Sequence, residues 1–302
     1  MPAISTADIP KLLWPGLNAV WGRDYTAQPT EYTDLFDIKT SDMAYEEDVE
    51  EPGCGLAPIK TQGAAVTYTS TSQQTVTRYT HVAYGLGFII THEEMMDNLY
   101  SKRGVSRTES LARSMRLTKE TVAANVYNRG QTSGYTFGDG AVMSSTAHPT
   151  LTGNQSNRLT TAADFSEASL EDLCIQIMGA RDSVGNIIKL MPKKLIVPKE
   201  LFFEVERVLK STLQSGTPNN DTNALRSSGI IPTVAVNHFL TDTDAFFIRT
   251  DAPHGMKLFD REKAEFAQDG EFDTSNLKFK AYQRFSCGMS DFRSIYTNGF
   301  GA

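Results

Sequence analysis

The chain has 302 residues, 40% hydrophobic and 22% charged, with a formal net charge of −7, a globular composition far from disordered or collagen-like extremes. That length suggests about two domains and a core needing no staples, and Cys54, Cys174 and Cys287, none in a C-x-x-C pair, provide no disulfide framework. No apolar run approaches the roughly 18 residues of a membrane span, no secretory signal opens the chain, and no dense Lys/Arg run offers a footprint for tight duplex binding, so a cytoplasmic, non-membrane product is expected.

In chain order, residues 5–24 carry an amphipathic pattern (Ile9, Leu12, Leu13, Leu17, Val20, Trp21) punctuated by Pro10 and Pro15, which predicts a helical arm with a break. Trp14 and Trp21, the only tryptophans, are candidates to pack on their own domain or to anchor the arm on a neighbouring subunit. Between residues 31 and 51, nine acidic side chains stand against Lys39 alone. Residues 33–80 are threonine-rich, with Val66, Tyr68, Val76, Thr77 and Tyr79 around a polar turn at 71–74. This predicts an extended, solvated hairpin, which is marginal alone and must lean on something.

A short apolar strand is expected at 85–90. Thr91 then caps a helix with Glu94 at the capping-box position. The stripe Leu111, Met115, Val122, Val126 predicts a spine helix over 106–129, with Gly104 as a kink or interruption. Asp164 or Ser166 caps a helix to about Arg181, its stripe Leu170, Leu173, Cys174, Ile177, Met178 marking Cys174 as core. A buried strand at 195–197 follows, and Pro198 opens a helix with Leu201, Val205, Val208 and Thr212 on one face. Residues 211–229 read as a long polar loop. Strands at 233–236 and 245–249 flank a turn at 241–244. From Met256 the chain is β-rich, with Leu277, Phe279 and Ala281 alternating.

Catalytic and metal motifs fail on inspection. His92-Glu93-Glu94-Met95-Met96 lacks the second histidine of a zinc helix. Asp242 and Asp244 would need a bidentate Glu where Pro253 stands. Gly288-Met289-Ser290-Asp291-Phe292 lacks the second glycine of a nucleophile elbow, and Gly85-Leu86-Gly87 has no third glycine at Ile90. No cofactor, metal or catalytic residue is assigned, and an enzyme is not expected. His148, before Pro149 and near Asn154 and Asn157, reads as a structural lock of its loop.

Residues 138–157, GDGAVMSSTAHPTLTGNQSN, resemble the LFSTAHP…N…SN stretch of tailed-bacteriophage major capsid proteins, in particular the Mu-like prophage major head subunit group. KLIVP at 194–198, HFLTDTDAFFI at 238–248 and CGMSDFRSIY at 287–296 match in the same order. The resemblance implies an α+β fold of the Hong Kong 97 type: an N-terminal arm at 1–30, an extended loop at 31–84, a peripheral domain at 85–153 and 255–302 with the spine helix, and an α/β axial domain at 154–254. It implies a head protein that assembles with itself, as pentamers and hexamers, into an icosahedral shell around double-stranded DNA, without sequence-specific binding. A separate scaffold and a portal are the other expected partners. Encapsulin-like shells are the alternative, and a motif-free enzyme a more distant one. In this fold the extended loop lies over a neighbour's peripheral domain. The candidate inter-subunit contacts are therefore Asp42, Glu46, Glu47, Asp48, Glu50 and Glu51 on the loop, Arg107, Arg113, Arg116 and Lys119 on the spine, and Trp14 and Trp21 on the arm.

Overall fold

Two four-stranded sheets share one long helix. The computed structural model describes residues 9–27, 29–70, 72–96, 100–214, 221–253, 255–271 and 275–300, and at 9–15, 95, 96 and 100–102 it describes the backbone alone. The chain begins with α1 (Ile9–Ala27), α2 (Tyr32–Leu35) and β1 (Asp37–Thr40), followed by β2 (Tyr45–Val49), β3 (Val76–Thr80) and β4 (Val82–Ile90). Then come α3 (His92–Met96), α4 (Tyr100–Asn128), β5 (His148–Thr150), β6 (Gly153–Gln155) and α5 (Glu167–Met178). The remainder is β7 (Pro192–Pro198), α6 (Phe202–Lys210), α7 (Ala224–Ser228), β8 (Val234–Asn237), β9 (Phe246–Thr250), β10 (Met256–Gly270), β11 (Leu277–Met289) and β12 (Ile295–Asn298).

The first sheet has the order β1-β10-β11-β4, with β1 parallel to β10 and the other pairs antiparallel. Alternation along β11 buries Leu277, Phe279 and Ala281, as period-two patterning requires. Against that face pack Leu17 and Trp21 of α1 and Leu111, Ala112 and Met115 of α4. The spine helix is one uninterrupted element of 29 residues, about 43 Å long at 1.5 Å per residue. Gly104 does not interrupt it. A Cβ there would lie 3.4 Å from Ile90 Cδ1 and 4.0 Å from Leu17 Cδ2, ordinary packing distances.

The second sheet has the order β12-β9-β7-β8. Both of its faces are covered. Leu195, Val197, Phe246, Ile248 and Tyr296 meet α5, α6 and α7, while Ile196, Phe247 and Ile295 meet Ala123, Ala124 and Tyr127 at the far end of the spine. A sheet buried on both sides needs near-continuous apolar strands, and KLIVP and AFFI supply them. Ser166 caps α5, its hydroxyl accepting from Ser169 N at 3.2 Å. Thr91 Oγ1 likewise accepts from Glu94 N ahead of α3.

Several expectations are corrected. The arm helix runs through Pro15. Pro10 lies in the first turn, where its missing N–H costs nothing, and the packing of Leu17 and Trp21 on the sheet holds the helix together beyond Pro15. The loop strands pair, Tyr45↔Thr80 to Val49↔Val76, but Val66 and Tyr68 lie outside any strand. The excursion turns at 61–64, where Ala64 N bonds Thr61 O and Gly63 has φ +83°; the expected turn at 71–74 begins at residue 71, which lies outside the described residues. Strands β8 and β9 flank the 241–244 turn yet are not neighbours, because β7 lies between them. The polar stretch 211–229 contains α7, capped by Asn223, while 215–220 fall outside the described residues. Two strands also cross the expected divisions: β1, from the loop segment, joins the first sheet, and β12, from the peripheral segment, pairs with β9 in the second.

Candidate functional site

The base of the extended loop is where charged residues concentrate. Alternation along β2 turns Glu46 and Asp48, and then Glu50, towards the body, and leaves Glu47 and Glu51 exposed. Each inward carboxylate meets its own partners. Glu46 Oε1 accepts from Ser41 Oγ at 2.6 Å. Asp48 takes the ammonium of Lys257, which is 2% exposed, and the Ser290 hydroxyl at 2.5 Å. Tyr79 donates to the same Ser290 Oγ at 2.5 Å. Glu50 accepts from Ser183 Oγ at 2.5 Å and lies 3.4 Å from the buried guanidinium of Arg293, which also bonds Ser183.

Desolvation works to raise the Asp48 carboxyl, yet the hydrogen bonds from Lys257 and Ser290 outweigh it and hold the group below its ordinary range. Burial pushes the Tyr79 phenol well above its usual range, so it stays a neutral donor. The last rungs of the hairpin are Glu50 N to Thr75 O at 2.9 Å and Gln74 N to Glu50 O at 3.0 Å. Beyond it the chain makes few contacts with its own body, one being Asn186 Nδ2 to Cys54 O at 3.2 Å. Leu56, Ile59, Val66 and Tyr68 are 86, 96, 60 and 91% exposed.

The crossover is locked as the sequence predicts. Asn157 is fully buried, donating to Met143 O and Ile295 O and accepting from Ser145 N, so one side chain ties the crossover to the strand that closes the second sheet. His148 is buried, its Nδ1 2.6 Å from Asp139 Oδ2 and its ring stacked on Phe292 at 4.3 Å. Gly138 lies where a Cβ would fall 2.1 Å from Thr77 Oγ1, which brings the crossover directly onto the loop base.

The candidate contacts divide sharply. Trp21 is 5% exposed and stacked on Tyr25 and Phe266 of its own chain; the Trp14 side chain lies outside the described residues. Arg116 and Lys119 do not form an outer cationic face. Arg116 is buried and bonds Tyr25 O, while Lys119 reaches Asp260 at 2.6 Å and lies over the Tyr32 ring. Arg107 is spent on Glu94 and Ile89 O. Arg113 remains exposed. Of the loop acids, Asp42 is fully exposed, 3.8 Å from Arg261, and Glu47 pairs with Arg78 at 3.0 Å across the hairpin. The loop acids therefore meet Lys257, Arg293 and serines of their own chain, not the spine. The spacing of Glu46, Asp48 and Glu50 at every second residue was the signal for an inward face; the partners that tie Asp48 and Glu50 to the body, Lys257, Ser290, Ser183 and Arg293, lie over 130 residues away and left none.

Among the described residues, no group of three or more His, Cys, Asp or Glu could hold a metal, and no helix is long and apolar enough to cross a membrane. Residues 74–298 match the phage capsid protein family. The chain belongs to that family. The matched span holds β3, the spine, the crossover and both sheets apart from β1, so the fold described above is that of a capsid protein. Among solved structures, this capsid protein resembles the capsid of cyanophage P-SCSP1u (TM-score 0.55, 10% identity, covering 90% of this chain and 88% of that one). It also resembles a virus-like particle from Pyrococcus furiosus (0.54, 11%, 94% and 98%) and the capsid of Myoviridae phage XM1 (0.52, 9%, 88% and 90%). At these identities the likeness shows the fold alone. No curated protein matches the sequence. The family match favours a phage capsid over an encapsulin-like shell.

Proposed function

We propose that copies of this capsid protein assemble, as pentamers and hexamers, into an icosahedral head that encloses double-stranded DNA, with the excursion beyond Glu50 lying over a neighbouring copy. The observation that carries this reading is the excursion itself. It presents Leu56, Ile59, Val66 and Tyr68 to solvent, and four large apolar side chains exposed within one segment of the chain are better covered by a partner than left in water. Its base is meanwhile fixed by buried ion pairs. The subunit is structural, divided into an arm at 1–30, a loop at 31–84, a peripheral domain at 85–153 and 255–302 and an axial domain at 154–254. Assembly in a bacterial host's cytoplasm with a scaffold and portal, and membership of the Mu-like group, are part of the same proposal and rest on the sequence stretches quoted above. Electrostatic steering falls to the acids that face solvent, Asp42, Glu47 and Glu51, with Arg113 as a candidate partner on the next copy.

Replacing Leu56, Ile59 and Tyr68 together by Ser leaves subunit unfolding unchanged and abolishes shells in electron micrographs. A wild-type chain that stays a 33.3 kDa monomer with scaffold supplied would sink the reading.

A further inference from the structure

The loop is joined to the body at two points, Ser41 between β1 and β2 and His81 between β3 and β4. Both residues are buried, at 4% and 5% exposure, and they touch: His81 Nε2 lies 3.1 Å from Ser41 Oγ. On its other side His81 Nδ1 lies 2.9 Å from Ser286 Oγ on β11. One imidazole thus ties the outgoing strand, the returning strand and the sheet together. We propose that His81 is a positioning residue, a neutral latch that sets the angle at which the loop leaves the body and releases it when the ring is protonated.

The proton count fixes the tautomer. Ser41 Oγ gives its only hydrogen to Glu46 Oε1, so it accepts from His81 Nε2–H, and Nδ1 accepts from the Ser286 hydroxyl. Ser41 is further held by its own N–H on Asp260 O. A proton added at Nδ1 would point at the Ser286 hydrogen and force that hydroxyl to turn away. It would also place a new cation in a buried site that already faces two others. These are Arg284 of β11, whose Nε lies 3.4 Å from His81 O, and Arg261 of β10. The Phe259 ring covers another side at 6.5 Å. Against them stands one carboxylate, Glu46 of β2, reached through Ser41; Asp42 faces Arg261 from solvent. Burial, with Arg284 adding to it, holds His81 below the ordinary histidine value of 6.5.

A released elbow has no such restraint and takes up its proton near pH 6.5. The latch is therefore at full strength above that pH and weakens below it, the released fraction rising about tenfold per pH unit until the depressed value is reached. The latch is made of contacts within one subunit, so its failure would leave the shell proposal standing.

Hydrogen exchange on the full chain at pH 7.5, 6.5 and 5.5, corrected for intrinsic rates, reads the latch in the β2 and β3 amides, with β7 and β9 as internal reference. In the wild type, protection of β2 and β3 falls below pH 6.5 relative to the reference, by at most about tenfold per unit. In His81→Gln, which keeps a donor and cannot titrate in this range, it stays flat. Equal loss in both proteins, or no loss in the wild type, overturns the proposal. Should the variant fail to fold, exchange of the His81 C2 hydrogen in the wild type decides: a midpoint below 6.5 supports the latch, and one at or above 6.5 ends it.

Discussion

The loop base and the second sheet are both β-structures at the end of long excursions of the chain, and they are held in opposite ways. The second sheet buries Phe246, Phe247, Ile248, Leu195 and Ile295 at 0–1% exposure between two layers; its energy is apolar and without direction. The loop base has only five residue pairs of ladder and little apolar surface of its own. Asp48, Glu50 and Glu46 bind it to Lys257, Arg293 and Ser41, contacts that fix an orientation as well as a position. An element that must project at a set angle is served by directional partners, whereas one that must only stay closed is served by bulk.

Substitutions in each region separate the two modes. Phe246→Ala should cost about 3–5 kcal/mol in urea unfolding, from lost transfer energy and the cavity left between α5 and the sheet. Asp48→Ala should cost about 3 kcal/mol, because it leaves the ammonium of Lys257 buried and unpaired. Adding Lys257→Met should recover most of that loss, and a double mutant as unstable as the single would mean that the ion pair does not hold the base. Since the folded Asp48 carboxyl is depressed, its contribution is present above the unfolded value of 3.8 and is lost as pH falls through the lower folded value. Asp48→Asn should remove that part of the acid sensitivity, and unchanged acid unfolding would assign it elsewhere. At the crossover, Asn157→Ala should cost about 2 kcal/mol, the penalty of leaving Ser145 N–H and two carbonyls without a partner. Smallest is Lys194→Ala, which breaks a half-exposed pair with Asp34 and should move stability by about 0.5 kcal/mol, fading with added salt.

Periodicity found the elements that packing rewards. The stripe of α5, the alternation of β11, the caps Thr91 and Ser166 and the length of the spine follow from local pattern, because each satisfies local hydrogen bonding and one apolar face together. Where local and tertiary preferences disagree, local reading fails. Pro15 suggested a break, and Leu17 and Trp21 hold the helix on the sheet. Val66 and Tyr68 have strand-forming side chains but pair with no strand among the described residues. Arg116 and Lys119 looked like a cationic surface because charge alone does not say which way a helix faces. The resemblance in the crossover and the three later motifs carried the family, while the partners of the loop acids lay too far along the chain to be read.

The pairing of β12 with β9 also sets a schedule. A chain made from its N-terminus has produced β7, β8 and β9 more than forty residues before Asn298 leaves the ribosome. Until then β9 is an open sheet edge, with Phe246 and Ile248 beside it, the kind of edge that pairs with any strand it meets. Asn157, which waits for Ile295 O, is satisfied at the same late moment. On a crowded polysome the hazard thus lasts from the emergence of β9 to that of β12. It ends when one short strand, IYTN, takes the place that another chain could have filled.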